Sequence, residues 1–260
     1  MTEVTAPAIH RVMHEIKRRH LQVLRVVDLT PRMRRITLGG PELAGFVSLG
    51  TDDHVKLLFP QNAEQAAALE TLVLGAGKDG PMPEMRDYTP RRYDLDSLEL
   101  DIDFVLHGDG PASTWAEQAK PGQFLHIGGP RGSMIVPDIF DSYLLIGDET
   151  ALPAIARRLE GLAANRKALV VVEVENGKEQ QTLESPAQVN VIWVLREGGK
   201  DNLLATVRQL QVPKDNLYAW VATETKVSRQ IRRVLLDDHG LDEQFVKAVG
   251  YWRAEGSEAE

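Results

Sequence analysis

The chain has 260 residues, 43% of them hydrophobic and 26% charged, and its 38 acidic against 30 basic residues give a net charge of -8. This length favours one large or two ordinary domains, and the negative charge opposes nonspecific binding to nucleic acid, because a polyphosphate would be repelled. The sequence has no apolar run of about 18 to 20 residues, which predicts no membrane span, and it has no cysteine, which excludes disulfides, thiolate metal sites and a cysteine nucleophile.

The first twenty residues are polar and carry a basic run between positions 11 and 19 instead of the apolar core of a secretory signal. We therefore expect a cytoplasmic protein. His10 and His14 have the i, i+4 spacing of one helix face, but no carboxylate ligand set accompanies them. This pattern favours a surface helix over a metal site, and no metal site is predicted.

From about position 20 to 136 the apolar residues recur with period two, which is typical of strands buried on one face. The clearest strand spans 98–106, and others are predicted at 23–27, 33–38 and 55–59. These strands predict an antiparallel β-barrel domain over 1–139, with a short N-terminal extension. The segment 61–84 fits no strand and is interpreted as a surface insertion, partly helical.

After Pro137 short continuous apolar runs alternate with stretches of helical spacing. The runs lie at 143–146, 168–172, 191–195 and 217–221. The helical stretches lie at 151–164, 203–210 and 226–237. This alternation is typical of a mostly parallel sheet with crossover helices. It predicts an α/β domain of the nicotinamide-binding kind over 140–260, ending in a polar tail.

Arg86, Tyr88 and Thr89 form the first segment that could carry chemistry, because alternate residues of an extended chain share a face. Arg86 can bind a phosphate as a planar fork, Tyr88 can stack on a ring, and a bend before Pro90 can bring Thr89 to a ring nitrogen. The alternative is an ordinary edge strand with a surface arginine.

The second such segment begins at His107, directly after the clearest strand, and opens a short helix. Its turn leaves backbone N–H groups open beside the hydroxyls of Ser113 and Thr114, which is an arrangement suited to an anion. The alternative is a plain helix cap. Two anion sites in one domain suggest a pyrophosphate held from two sides.

The sequence resembles the siderophore-interacting proteins, flavin-dependent ferric-siderophore reductases related to the ferredoxin-NADP-reductase fold. The resemblance rests on six blocks in the family's order, at 53–60, 86–90, 107–113, 129–133, 147–154 and 247–253. It implies that the N-terminal domain holds FAD, with Arg86 near the pyrophosphate, Tyr88 against the isoalloxazine and Thr89 near its N5. The rest of the expected cofactor-binding set is Asp87, His107, Ala112, Ser113 and Thr114.

A further block lies where a nicotinamide-binding domain places its first strand-to-helix turn, and it consists of Gly147, Asp148, Glu149 and Thr150. A pyrophosphate requires bare N–H groups at this point, so the two carboxylates are expected to weaken NADH or NADPH binding, unless both acids only cap the helix. The resemblance implies an electron donor, and reduced ferredoxin stays open beside the nucleotides. Glu173 and Glu175 end the second parallel strand, where an acid suits the ribose of NADH.

The resemblance also implies a cationic pocket for an anionic ferric siderophore. The candidates are Lys56, Arg91, Arg92, Lys247 and Arg253. For each of them a solvated face is the alternative.

These interpretations combine into a predicted monomeric two-domain reductase, in which electrons pass from the donor through FAD to Fe(III) in a siderophore and Fe(II) is released. No catalytic side chain is predicted, because the flavin carries the redox chemistry. A siderophore carrier without turnover and a general flavin reductase are the alternatives.

Overall fold

The computed structural model describes residues 8–69, 72, 82–108, 110–198, 202–213 and 216–254. The chain divides into two compact units, Met1–Pro137 and Asp138–Glu260. Most of the predicted insertion at 61–84 and the polar tail at 255–260 lie outside the described residues. The described part of the insertion contains one short helix, α1 (Ala63–Leu69).

The first unit is built mainly from strands. In chain order they are β1 (His10–Met13), β2 (Arg18–Thr30), β3 (Met33–Gly39), β4 (Val55–Phe59), β5 (Glu84–Tyr88), β6 (Pro90–Asp94), β7 (Glu99–Val105), β8 (Phe124–Gly128) and β9 (Gly132–Ile135). A second helix, α2 (Pro111–Gln118), lies between β7 and β8.

Seven of these strands form one antiparallel sheet in the order β5-β4-β8-β2-β3-β7-β6, and β1 pairs with β9 in a separate ribbon. The two edge strands of the sheet follow each other in the chain, separated only by Thr89. The sheet must therefore curve until its edges meet at that residue. Its inner face buries the alternating apolar positions, such as Ile36, Leu57 and Phe104. The prediction of an antiparallel barrel-type unit is confirmed.

The predicted N-terminal helix is wrong, because His10–Met13 is a strand. It pairs with β9 in a register that places His10 opposite Ile135. A ladder with a partner about 120 residues away satisfies the backbone groups and overrides the local i, i+4 pattern. His14, just beyond the strand, has its Nε2 atom 2.7 Å from Ser133 Oγ.

The second unit alternates strands and helices. Its strands are β10 (Ser142–Asp148), β11 (Lys167–Val174), β12 (Gln188–Leu195), β13 (Leu217–Glu224) and β14 (Val246–Trp252). Its helices are α3 (Leu152–Glu160), α4 (Asn202–Arg208) and α5 (Thr225–Arg233), and a π-helical turn, Val234–Asp238, continues α5.

All neighbouring strands of this sheet are parallel, in the order β12-β11-β10-β13-β14. The prediction of a parallel α/β unit is confirmed. After β10 the chain moves outwards to β12, then returns to place β13 on the other side of β10. Open α/β sheets bind ligands outside the carboxyl ends of their strands, at such a reversal of strand order. No helix among the described residues is long and apolar enough to cross a membrane.

Candidate functional site

The strand β5 presents Arg86 and Tyr88 on one face of the first unit. Arg86 lies opposite Leu57 in the β4–β5 ladder, and Tyr88 lies opposite Val55. Leu57 and Val55 are buried, and directly opposite residues of a ladder share a face, so Arg86 and Tyr88 lie on the core side of β5. The predicted interruption is also present, because Thr89 stands between two strands and is buried.

Asp87 lies on the opposite face of β5, where it forms an ion pair with Lys56, Nζ to Oδ1 2.7 Å. Both side chains are half-exposed. Strand alternation therefore directs Asp87 away from the face of Arg86 and Tyr88, and its predicted contact with the cofactor stays a prediction. The pairing also means that Asp87 compensates the positive charge of Lys56.

Aromatic packing connects β5 with α2. The Tyr88 and Phe104 rings have their centroids 4.6 Å apart, and the Phe104 and Trp115 centroids are 5.7 Å apart. Trp115 belongs to α2, so the two segments singled out from the sequence both pack against Phe104. Burial raises the pKa of the Tyr88 phenol, and the positive charge of Arg86 opposes that rise only in part. Tyr88 is therefore a neutral aromatic surface near neutral pH.

The helix α2 begins without a side-chain cap. Gly110 precedes it with φ at 83°, a left-handed conformation that favours glycine, and Pro111 occupies the first turn without an N–H group. The amide N–H groups of Ala112 and Ser113 are among those that a helix leaves without an intrahelical partner. Thr114 is exposed beside them. This start is suited to a phosphate group.

Ser113 contacts the loop that precedes α2 through its side chain, and its predicted role at the pyrophosphate stays a prediction. Its side chain is buried, and its Oγ accepts the backbone N–H groups of His107 at 3.0 Å and Gly108 at 3.2 Å. The hydroxyl therefore fixes the loop before α2 and is not open to an anion, although the Ser113 amide remains at the helix start. His107 itself is exposed.

These residues fit an FAD pyrophosphate and flavin ring. The uncapped amides of α2 and the hydroxyl of Thr114 supply donors, and the Arg86 guanidinium supplies a charged fork. In the structure Arg86 pairs with Glu84 at 2.8 Å, but both side chains are about half-exposed, and such surface pairs exchange readily. The Tyr88 ring offers a flat apolar surface for the ring system.

In the second unit the reversal of strand order lies between β10 and β13, and Asp148 stands there almost fully buried. Its Oδ1 accepts the backbone N–H of Thr150 at 2.9 Å and the hydroxyl of the same residue. Its Oδ2 accepts the Thr223 hydroxyl at 2.7 Å and the Trp252 Nε1–H at 2.8 Å. Burial raises the pKa of the Asp148 carboxyl, and these hydrogen bonds oppose the rise. Gly147 is required before it, since a Cβ there would meet the Ala222 carbonyl oxygen at 2.8 Å.

Glu149 is held by Arg196, whose two terminal nitrogens lie 2.9 and 2.8 Å from its carboxylate oxygens. The same guanidinium reaches Glu175 at 2.8 Å and Glu173 at 3.3 Å. Burial raises the pKa of Glu173, and the positive charge of Arg196 opposes that rise. Burial by itself lowers the pKa of Arg196. The surrounding carboxylates, Glu149 foremost, have the larger effect and raise the pKa of Arg196 above its ordinary value.

These contacts favour the alternative of a cap for Asp148, and the weakening of NADH or NADPH binding by the two carboxylates stays a prediction. Asp148 caps the turn that follows it, and Glu149 is turned inwards and neutralised. Arg196 was missed in the sequence. The available signal was an arginine directly after the apolar run of β12, at the same edge of the sheet as Asp148 and Glu173.

The predicted substrate cations have different surroundings. Arg92 lies 2.9 Å from Asp101 and 3.3 Å from Glu99, and the hydrogen bond to Asp101 raises its pKa, so its charge is compensated within the β6–β7 ladder. Arg91 is part-exposed. In the second unit Lys247 of β14 lies opposite Trp220 of β13, and Arg253 lines a cavity between α5 and β14. Lys56 and Lys247 belong to different units, and their common pocket stays a prediction.

An antiparallel half-barrel whose helix start is suited to a phosphate, followed by a parallel α/β sheet, is the ferredoxin-reductase-like fold. The solved structure of phthalate dioxygenase reductase shares this fold, with a TM-score of 0.64 at 11% identity over 90% of this chain and 68% of that chain.

Residues 22–134 match the family model described as siderophore-interacting FAD-binding domain, and residues 140–255 match the one described as siderophore-interacting protein. The NADPH-dependent ferric-chelate reductase of Escherichia coli (strain K12) is 38% identical over 250 residues, 94% of this chain and 96% of that protein. A siderophore utilization protein from T. fusca has a crystal structure with TM-score 0.85 and 38% identity, covering 97% of this chain and 99% of that chain. The chain belongs to the siderophore-interacting protein family.

Proposed function

We propose that the chain is an FAD-dependent reductase that takes electrons from NADPH and delivers them to the iron of a ferric siderophore. The observation that carries this proposal is that Tyr88 of β5 and Trp115 of α2 both pack against Phe104, which connects the Arg86–Tyr88 face with the helix that begins without a side-chain cap, in a unit of the FAD-binding family. Bound FAD would supply the ability to accept a hydride from a nicotinamide and to release electrons singly.

The residues of the first unit bind and orient the cofactor. Arg86 and the amides of Ala112 and Ser113 hold the negative pyrophosphate, and Tyr88 keeps one side of the ring system dry. The substrate iron needs no protein ligand in this scheme, because Fe(III) arrives with its chelate. Reduction weakens that chelate, since Fe(II) gains less from hard anionic oxygen ligands, and the metal is then released.

The donor assignment to NADPH rests on the relative in Escherichia coli and on Arg196. This arginine stands at the carboxyl end of β12, at the edge where related sheets place the ribose and its 2′-phosphate. Because Glu149, Glu173 and Glu175 surround it, a phosphate must compete with carboxylates for the guanidinium. NADH and reduced ferredoxin are the alternative donors. The proposed location is the cytoplasm, because NADPH is an intracellular metabolite. The proposed oligomeric state is a monomer.

The test uses the purified full-length protein. We expect an oxidised-flavin absorption spectrum at one flavin per chain, bleaching by NADPH under anaerobic conditions, and recovery of the colour when a ferric chelate is added, with Fe(II) trapped by a colorimetric chelator. NADH and reduced ferredoxin serve as comparison donors. A flavin-free protein that binds ferric siderophore would show a carrier instead, and reduced flavin that does not reoxidise on ferric chelates would show a general flavin reductase.

A further inference from the structure

A cavity of about 410 Å³ lies in the second unit between α5 and the end of β14. The residues that line it include Arg229, Arg232 and Arg253, together with Thr225 and Ser228. We call it the arginine cavity. The Thr225 hydroxyl donates to the Trp252 carbonyl oxygen at 2.9 Å, so the arginines are the main donors of the lining.

The arginine cavity lies at the ligand-binding end of the parallel sheet. The strand β14 is parallel to β13, so Gly250 to Arg253 stand at its carboxyl end, and α5 starts directly after the carboxyl end of β13. Ligands of open α/β sheets bind outside this edge. The cavity is therefore on the functional side of the sheet, although it lies beyond β13 and not at the crevice beside β10.

Charge is distributed unevenly along this edge. On one side of the strand reversal, three carboxylates share Arg196. On the other side three arginines line the arginine cavity, and Arg232 pairs with the exposed Glu243. Within the described residues the lining of the cavity contains basic and no acidic side chains, which favours an anion there.

The start of α5 has no open amides to offer an anion at its second and third residues. Glu224 caps α5, and its Oε2 accepts the N–H groups of Lys226 at 2.6 Å and Val227 at 3.1 Å. These amides are therefore occupied. Guanidinium groups bind phosphate and carboxylate oxygens in pairs, with a geometry that an ammonium cannot provide.

We propose that the arginine cavity binds a compact, multiply charged oxyanion group. Such a group is either a phosphate of the donor nucleotide or a carboxylate cluster of the ferric chelate, and the second source rests on the proposed function. The volume is near the lower end of small-molecule sites, roughly 300 to 1,000 Å³, which suits a charged group and not a complete large chelate.

The direct test is calorimetric titration of the flavin-loaded protein with pyrophosphate and with citrate. Arg229→Gln and Arg232→Gln should each weaken binding of at least one anion about tenfold or more, because each removes charge-assisted hydrogen bonds. Arg233→Gln is the matched control, since it removes the same charge from the same helix at an exposed position that does not line the cavity. Absence of binding, or equal loss in all three variants, would overturn the proposal.

Steady-state kinetics then distinguish the two sources. If the pyrophosphate of the donor nucleotide occupies the cavity, Arg229→Gln raises the KM for NADPH and for NADH to the same extent, because both carry this group, and leaves ferric citrate unchanged. If a chelate occupies it, the KM for ferric citrate rises, while that for an uncharged ferric hydroxamate does not. Flavin content and the thermal midpoint report folding. A wild-type protein without reductase activity would refute the proposed function, whereas the calorimetric result would still decide the cavity.

Discussion

Arg86 is the single residue on which the cofactor assignment depends most directly. It lies on the core-side face of β5 with Tyr88, and its guanidinium is paired with Glu84. A pyrophosphate must displace that carboxylate, so the pair competes with the cofactor. Because both side chains are about half-exposed, the competition is weak compared with a bidentate contact to phosphate.

We predict that Arg86→Ala lowers FAD affinity by on the order of 1.5 to 3 kcal/mol, the value of hydrogen bonds to charged groups. The measurement is flavin occupancy after purification and the Kd from titration of the flavin-free protein. Glu84→Gln is the matched control, because it frees the guanidinium and should leave FAD binding equal or tighter. Full occupancy in Arg86→Ala would show that the assignment is wrong.

Asp148 is the buried acid whose protonation affects stability. Its folded-state pKa is raised by burial, so the native state binds the proton more tightly than the unfolded chain does. Stability from this group is therefore present below the unfolded pKa of roughly 3.9 and is lost as pH rises through the folded value.

We predict that the stability cost of Asp148→Asn, relative to wild type, decreases as pH rises from about 4 upwards. Asparagine has no proton to lose, but it cannot accept equally from Thr223 and Trp252. Unfolding free energies from urea titrations at several pH values measure the trend. Trp252→Phe removes a donor and keeps the carboxyl, so it should retain the pH dependence. A pH-independent cost of Asp148→Asn would contradict the prediction.

Side-chain direction marks the limit of what the sequence predicts at this scale. Alternation correctly placed Arg86 and Tyr88 together and also shows, once the ladder is known, that Asp87 faces away. The inward hydrogen bonds of Ser113 and Asp148 depend on loop and strand partners that no local pattern contains.

Among the elements, the carboxyl ends of β10, β11 and β12 are held together by one arginine. The guanidinium of Arg196 is the cation that all three carboxylates contact, and the side chain of Glu149 is the most buried of its three partners. Removal of the arginine leaves a carboxylate in a poorly solvated position. Breaking a buried pair in this way is far more costly than losing a surface pair.

We predict that Arg196→Ala destabilises the protein by on the order of 2 to 3 kcal/mol at neutral pH, a buried-pair cost discounted for the partial exposure of the arginine. Adding Glu149→Gln to this variant should recover part of the loss. The cost should also shrink towards pH 4, where the stranded carboxylates become protonated. Urea unfolding of the single and double variants measures the coupling, and strict additivity of the two changes would contradict it.

The inner strands β10 and β13 of the second unit were predictable because they are buried on both faces, so each contains a continuous apolar run. In contrast, β1 was mistaken for a helix. It is short, largely exposed, and exists only because β9 pairs with it from the far end of the first unit. Non-local pairing of this kind leaves little trace in the local sequence.

At the scale of the whole molecule, a net charge of -8 repels an anionic chelate at long range, so cations close to the binding site must supply the attraction. Lys56 and Lys247 are the predicted cations, one in each unit. The structure adds that Lys56 is bound to Asp87, so the charge that it presents depends on that carboxylate.

We predict that Lys56→Ala and Lys247→Ala raise the KM for a trianionic ferric siderophore several-fold and have a smaller effect on an uncharged ferric hydroxamate. The difference should shrink with salt, because the Debye length is only about 10 Å at 0.1 M ionic strength. Asp87→Asn is the opposing control, since it should lower the KM for the charged chelate. Equal losses on both chelates would show that these lysines support the fold instead of recognising charge.

The two-unit architecture and the family could be predicted from the sequence, because dispersed motifs and two distinct periodicities mark them. The arginine cavity could not, because Arg229 and Arg253 come from a helix and a strand separated by the π-helical turn and a loop. Their approach depends on how α5 packs against β14.

The meeting of β5 and β6 at Thr89 has a consequence for handling the protein. Within the described residues each of these strands has a sheet neighbour on one side only, so each carries a row of main-chain groups outside the ladders of the sheet. Exposed rows of this kind recruit strands from other molecules, and proteins normally shield them. The predicted cofactor residues Arg86 and Tyr88 belong to β5, so a cofactor bound there shields one row. Protein stripped of flavin should therefore self-associate, and its recovery during expression should follow the flavin supply of the cell.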